Sequence, residues 1–297
     1  MRQQKPLADM RTEDDCRAGR RPGPHIGLQA QQVLHSLSHH GTKPPLHVHL
    51  HVIVALMLRE LHTINGESKI GYLWTIVRTA FAIMILWGLR MFMRFSPPHG
   101  MTVLCFLALG FLIWNIFSRN LTSCLKAVEG NRALLTYPHV YPLDIMLARS
   151  LVITATHVVS TAIILIIGVF LGFPITLTHL DLLLMSLGMA MTLGLGAGMF
   201  LSALAIWLPF LHHIIPMVLR IMFFVSGVFF SVSMFTRRIG DWLLLNPVMQ
   251  IIELARTAMA KGYMSPYYDI YYLLGVNLAL FSLGLLLERF VRRRLQA

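Results

Sequence analysis

Charge is scarce in this sequence: Asp, Glu, Lys and Arg make up 13% of it, about half the ~25% usual in soluble domains. With 56% hydrophobic residues and a mean hydropathy of +0.65, that scarcity excludes an ordinary soluble domain and implies a membrane protein. Cysteine is rarer still. Cys16, Cys105 and Cys124 are odd in number and none sits in a CxxC spacing, so they support neither a disulfide framework nor a zinc site. No GxxxxGK[ST] run occurs, and the chain therefore has no phosphate-cradling loop for ATP of its own. The opening stretch MRQQKPLADMRTEDDCRAGRRPG is charged throughout and lacks the apolar h-region of a secretory signal. The net charge of +12 comes from basic residues scattered over many loops. That distribution argues against a nucleic-acid partner and makes the charge a matter of orientation and anionic lipid headgroups.

What is present divides at about residue 45. Residues 1–44 are polar, Gly/Pro-bearing and His-rich without helical or strand period, and read as a disordered tail, or as a stretch upstream of the true start. The string His35, His39, His40, His47, His49, His51 has no Cys or carboxylate to complete a structural metal site, so adventitious binding is the expectation. Residues 45–297 read as one membrane domain. Around 48–70, apolar Val52, Ala55, Leu56 and Leu58 lie beside polar Arg59, Glu60 and His62, which suits a helix lying in the membrane interface. Tyr72 and Trp74 then sit where an aromatic belt anchors the turn into the bilayer.

Crossing a ~30 Å hydrocarbon core takes about 20 apolar residues. Six runs qualify, near 75–94, 102–119, 145–172, 182–208, 216–235 and 270–288. In the first, Arg78 and Arg90 must snorkel to opposite faces. The fifth is expected to open at Pro216. Counting Lys and Arg places both termini on the cytoplasmic side, although Arg90 and Arg94 at the outer end of the first run cut against that bias.

The spans hold almost no ionisable group. His157 is the exception and reads as a hydrogen-bonded helix contact. A proton- or sodium-coupled carrier buries such groups, so that class is disfavoured. No filter loop or charged ring marks a channel. A pump would need ATP hydrolysed on a second polypeptide docked on the cytoplasmic side. The polar island KAVEGNRALLTYPHVYPLD (126–144) is the candidate docking loop, with a short helix around 121–132 stopped before Tyr137-Pro138; a plain solvated loop is the alternative.

Two further stretches stand out. The fourth run, SLGMAMTLGLGAGMFLSALA, contains Gly194-xxx-Gly198 and is expected to pack closely, inside the bundle or at a dimer seam. After the fifth run, MFTRRIGDWLLLNPVMQIIELARTAMAKGYMSPYYD is amphipathic and interrupted by Asn246-Pro247, which fits re-entrant short helices on the outer side. Glu253 and Arg256, spaced i,i+3, are placed to pair on one helix face. Tyr263, Tyr267, Tyr268, Tyr271 and Tyr272 cluster at the same boundary and read first as an interface belt, second as a sugar-stacking platform.

MLRELHTINGESKIGYLWTIVRTAF, NRALLTYPHVYPLDIMLARSLV and FFVSGVFFSVSMFTRRIGDWLLLNPVMQIIELARTAMAKGY together resemble the permease subunit of ABC type-2 polysaccharide exporters. The resemblance is greatest to the inner-membrane permeases for group 2 capsular polysaccharide. It runs from about residue 46 to the C-terminus, with the order and spacing of the six spans kept. It implies an all-α bacterial inner-membrane protein with an N-terminal interfacial helix, six spans and re-entrant outer helices before the last. It also implies two permease copies and two cytoplasmic ATPase subunits holding ATP-Mg, with no cofactor, metal or catalytic residue on this chain. Leu125, Lys126, Glu129, Asn131 and Arg132 would form the coupling loop. Asn246, Pro247, Glu253 and Arg256 would belong to the outer gate, while Trp74, Tyr263, Tyr267 and Tyr268 would offer glycan or interface aromatics. Periplasmic and outer-membrane export proteins and membrane lipids are the further partners the resemblance suggests. The His-rich tail and the basic Arg90 and Arg94 depart from the family pattern.

The alternatives are an ABC type-2 permease for another cargo (O-antigen, a teichoic acid-like polymer or a drug), or a membrane-embedded enzyme or scaffold. An enzyme would need a constellation at one membrane face, whereas His212-His213 and Asp241 fall on opposite sides of the expected topology.

Overall fold

Helix is the only regular structure among the described residues. The computed structural model describes residues 56–57, 77–85, 88, 101–126, 142–259 and 267–295, all within one compact unit, His49–Ala297. The His-rich tail, the interfacial stretch at 48–70 apart from helical 56–57, Trp74, most of the polar island and Tyr263 lie outside them.

After a helical segment at 77–85 the long elements are α1 (Val103–Leu125), α2 (Pro142–Phe170), α3 (Leu180–Ala205) and α4 (Leu211–Val225). A 3₁₀ turn (Val232–Met234), two short helices, α5 (Arg237–Leu243) and α6 (Pro247–Ala258), and then α7 (Ile270–Leu295) complete the chain. Four helical stretches are long and apolar enough to cross a bilayer: Val103–Leu125, Leu143–Phe170, Leu180–Ala205 and Ile270–Phe290. They coincide with the second, third, fourth and sixth apolar runs. At 1.5 Å per residue, even the shortest of them, the 21 residues of Ile270–Phe290, reaches about 31 Å.

The fifth run is corrected by the structure. Its helix begins earlier and ends sooner than expected, Leu211–Val225 rather than 216–235, and Pro216 lies inside it rather than at its start. Proline there removes one backbone bond from the ladder. The helix stops because Gly227 takes φ +77, a left-handed turn that a β-carbon disfavours. An added Cβ there would also overlap the Met249 side chain.

α3 is the spine, packed against α1, α6 and α7, while α2 and α4 lean on α1. The small residues answer the close-packing question: they face into the chain's own bundle. A Cβ added at Gly194 would lie 2.6 Å from the Phe117 carbonyl oxygen, and one at Gly198 would lie 2.9 Å from that of Leu121, both on α1. On another side of α3, Gly196 meets the α7 backbone at Phe281, and Gly284 of α7 returns the contact. Polar clasps add to this packing. The buried Asn120 amide donates to Thr154 Oγ1 (3.2 Å) and accepts from Ser150 Oγ (2.9 Å) across α1 and α2. Thr192 Oγ1 donates to Asn277 Oδ1 (2.8 Å) across α3 and α7. In a low-dielectric bundle such pairs satisfy groups that would otherwise cost ~1–3 kcal/mol each.

Candidate functional site

One face of α1 carries the chemistry. Phe111, Asn115, Arg119, Thr122 and Lys126 recur at i, i+4, i+8, i+11 and i+15, which places them along one side of a 3.6-residue helix. This stripe lines two adjoining cavities. The first, about 550 Å³, lies between α1, α2 and the segment at 77–85, and takes in Arg78, Arg119, Lys126, Arg149 and His157. The second, about 490 Å³, lies between α1 and α4 and adds Trp114, Arg220, Phe223 and Phe224. The two share Phe111, Asn115, Arg119 and Thr122.

Five cations thus converge on one groove, and no Asp or Glu is among the described residues lining it. A cleft lined by one sign of charge, with low-dielectric walls, focuses its field and concentrates counter-charged ligands. Hydroxyl and amide groups from Thr79, Asn115, Ser118, Thr122, Ser123 and Thr156 sit between the cations. The Asn115 amide donates to the Phe111 carbonyl (2.8 Å), and Thr122 Oγ1 donates to the Ser118 carbonyl (2.8 Å). Their remaining lone pairs are acceptors.

Beyond the basic part the groove becomes aromatic. Phe223 of α4 packs against Phe111 (5.5 Å between centroids), Trp114 (5.6 Å) and Phe229 (5.0 Å). Phe224 stacks on Phe229 at 5.7 Å and 21°. Stacking surfaces of this kind hold ring-shaped ligands weakly and without sequence preference.

The residues singled out in the sequence fall in different places. Leu125 is buried, and Lys126 is exposed at the end of α1, where its N–H bonds the Thr122 carbonyl (3.4 Å) and its side chain lines the groove. Glu129, Asn131 and Arg132 lie outside the described residues. His157, expected as a hydrogen-bonded helix contact, faces the groove instead.

Asn246 and Pro247 start a helix. The Asn246 side chain accepts from the Val248 N–H (3.1 Å) as an N-cap, with Pro247 in the first turn. Tyr268 is partly buried against the main core, and Tyr267 is half-buried. Tyr271 is 87% exposed. The Tyr272 hydroxyl instead donates to the Leu245 carbonyl at 2.8 Å.

Glu253 and Arg256 pair at 3.3 Å, and both are 0% exposed. Arg256 is a hub. Its guanidinium donates to the carbonyls of Gly227 (2.9 Å), Phe230 (3.0 Å) and Val228 (3.1 Å) and lies 3.5 Å above the Phe106 ring. Gly110 makes room for this: a Cβ there would lie 3.1 Å from the Val228 backbone and 3.3 Å from the guanidinium. The i,i+3 spacing that pairs Arg256 with Glu253 does not reveal its burial, and the sequence reading did not bring Arg119, Arg149 and Arg220 together with Lys126. For Arg119 and Lys126, seven residues apart at one phase of α1, the spacing was the available signal; Arg149 on α2 and Arg220 on α4 gave none.

Comparison with known proteins agrees with this architecture. A family model described as "ABC-2 type transporter" matches residues 51–260. The chain is 27% identical over 237 residues to the polysialic acid transport protein KpsM of Escherichia coli, covering 80% of this chain and 92% of the relative. It is 23% identical over 234 residues to the capsule polysaccharide export inner-membrane protein CtrC of Neisseria meningitidis, covering 79% and 88%. It is 26% identical over 206 residues to the O-antigen export system permease protein RfbA of Myxococcus xanthus, covering 68% and 77%. Long apolar helices, glycine-faced packing and a family match over well over half of the sequence lead to one conclusion: the chain belongs to the ABC-2 type transporter family.

Proposed function

We propose that this chain is the membrane permease subunit of an ATP-driven exporter that moves lipid-linked, anionic capsular polysaccharide across a bacterial inner membrane. The observation that carries this reading is the groove on α1, where Arg78, Arg119, Lys126 and Arg149 line one cavity and Arg220 joins a wall of aromatic rings in the adjoining one. The cations suit a phosphate- or carboxylate-bearing glycan. The rings suit a polymer that must slide, because stacking binds many sugar units weakly. The capsule-export names of the relatives support the same cargo class; O-antigen, named for another relative, is the second cargo.

In this reading the chain forms half of a channel with a second copy, has six spans and keeps both termini cytoplasmic. ATP-Mg is bound and hydrolysed on a separate cytoplasmic subunit. Leu125, Lys126, Glu129, Asn131 and Arg132 pass nucleotide-driven closure to the spans. Lys126 is the natural junction, since it both ends α1 and lines the groove, so a push on the loop is felt directly at the ligand wall. The short helices α5 and α6 are re-entrant at the outer end, and periplasmic and outer-membrane export proteins receive the polymer there.

The test is a gene-deletion strain of the native host, scored separately for intracellular and surface polysaccharide. Loss of surface polymer with intracellular accumulation, reversed by the wild-type gene, is expected. Unchanged surface polymer in the deletion strain would sink the proposal.

A further inference from the structure

Arg119 and Arg149 line one cavity from two different helices, and the residues next to them in sequence are bonded to each other. Asn120 of α1 donates from its amide nitrogen to Thr154 Oγ1 (3.2 Å) and accepts at its amide oxygen from Ser150 Oγ (2.9 Å), both on α2. The one-residue offset recurs along α2. Arg149 and Ile153 line the cavity, and Ser150 and Thr154 form the clasp beside them. Consecutive residues of a 3.6-residue helix lie ~100° apart, so a clasp row runs next to the groove row.

The clasp differs from the other hydroxyl contacts of these helices. Thr122, Thr156 and Ser160 donate to carbonyls one turn back on their own helix. Ser150 donates across to α1 instead, and Thr154 accepts from it. Asn120 is 0% exposed and Ser150 1%, so the clasp is shielded from solvent. Nor can Asn120 withdraw from α2. A Cβ added at Gly194 would lie 2.9 Å from Asn120 Cβ, which means that α3 is seated directly against this residue.

Apolar helix faces tolerate sliding, whereas a buried amide that bonds two hydroxyls one turn apart is satisfied in a single register. A slip by one turn, about 5.4 Å, breaks at least one of the bonds. It also carries Arg149 the same distance past Arg119.

We infer that Asn120 is a positioning residue: bonded to Ser150 and Thr154, it fixes the register of α1 against α2 so that Arg119 and Arg149 act as a pair on one anionic group of the cargo. The inference rests on the permease reading. Two guanidinium groups already held in register take a phosphate or carboxylate without first having to bring two helices into line. The clasp also makes α1 and α2 one unit, so movement of the polar island between them leaves the pair intact.

The experiment is a double-mutant cycle between Asn120→Leu and Arg119→Gln. It is read as the Kd of the purified permease–ATPase complex for two labelled probes, an anionic fragment of the host's capsular polysaccharide and inorganic polyphosphate. Thr154→Val keeps the side-chain shape while removing one clasp bond, and it stands beside Asn120→Leu in case that variant does not fold. Each protein is measured well below its own melting temperature. Arg119→Gln, at an exposed position, is expected to raise both Kd values about tenfold. Asn120→Leu should raise them roughly three- to tenfold and Thr154→Val about threefold. The double variant should stay within about twofold of Arg119→Gln alone, because no pair is left to align. If Asn120 served packing only, the two effects would be independent and would multiply. Kd values that multiply in the double variant overturn the inference, as do folded Asn120→Leu or Thr154→Val proteins that bind both probes as wild type does. A wild-type complex that binds polyphosphate but not the capsular fragment counts against the permease reading, while the polyphosphate cycle still decides the role of Asn120.

Discussion

Replacing Arg256 with Met is the perturbation with the largest expected effect on stability. The side chain is 0% exposed, pairs with an equally buried Glu253 at 3.3 Å, and donates to three carbonyls within 3.1 Å. Removing one partner of a buried ion pair costs about 3–5 kcal/mol, and each buried carbonyl left without a donor adds up to roughly 1–3 kcal/mol before relaxation. A net loss on the order of 5 kcal/mol is therefore expected, a large share of the ~5–15 kcal/mol that holds a typical fold. At ~2–4 °C per kcal/mol for a chain of this size, the apparent melting temperature in detergent should fall by about 10 °C or more. Glu253→Gln leaves the three carbonyls with their donor and should cost about half as much. The double variant Glu253→Leu/Arg256→Met removes the stranded carboxylate and should be more stable than Arg256→Met alone. Fluorescence-detected thermal unfolding of the detergent-purified protein reads all three. An Arg256→Met protein that melts within about 2 °C of wild type would refute the reasoning.

Two other perturbations probe separate parts of the account. Gly194→Val places a Cβ 2.6 Å from the Phe117 carbonyl oxygen and 2.9 Å from Asn120 Cβ, where backbone cannot yield; about 1–3 kcal/mol should be lost. Gly188→Ala, with nothing within 4 Å, should melt as wild type in the same assay. Arg119→Glu puts a carboxylate where both cavities meet. Surface polysaccharide should fall about tenfold, with the melting temperature unchanged because Arg119 is exposed.

Much of the architecture was legible because a bilayer imposes a simple length rule. The runs near 102–119, 145–172, 182–208 and 270–288 correspond to α1, α2, α3 and α7 to within a few residues at most ends. The fifth span misled for a physical reason. Hydropathy stays high through Gly227, Val228, Phe229 and Phe230, yet backbone conformation rather than polarity ends α4 there, at a glycine with φ +77. The pairing of Glu253 with Arg256 follows from i,i+3 spacing. Its burial does not, because the carbonyls that receive the guanidinium lie 26 to 29 residues earlier in the chain and the Phe106 ring 150 residues earlier. The basic groove was hidden similarly. Arg78, Arg119, Arg149 and Arg220 come from four separate helical segments, and only packing brings them together. Of the five residues proposed as a coupling loop, Leu125 and Lys126 fall among the described residues, Leu125 buried and Lys126 lining that groove.

The central claim is ATP-driven movement of an anionic polymer through this chain. Its most direct test uses inverted membrane vesicles containing the chain and its ATPase subunit, with labelled lipid-linked capsular polysaccharide supplied on the outside. With ATP, the polymer should become protected from an added glycosidase. Protection should vanish with a non-hydrolysable ATP analogue or when this chain is omitted. ATP consumed by the intact complex, with the polymer left fully open to the glycosidase, would contradict the account.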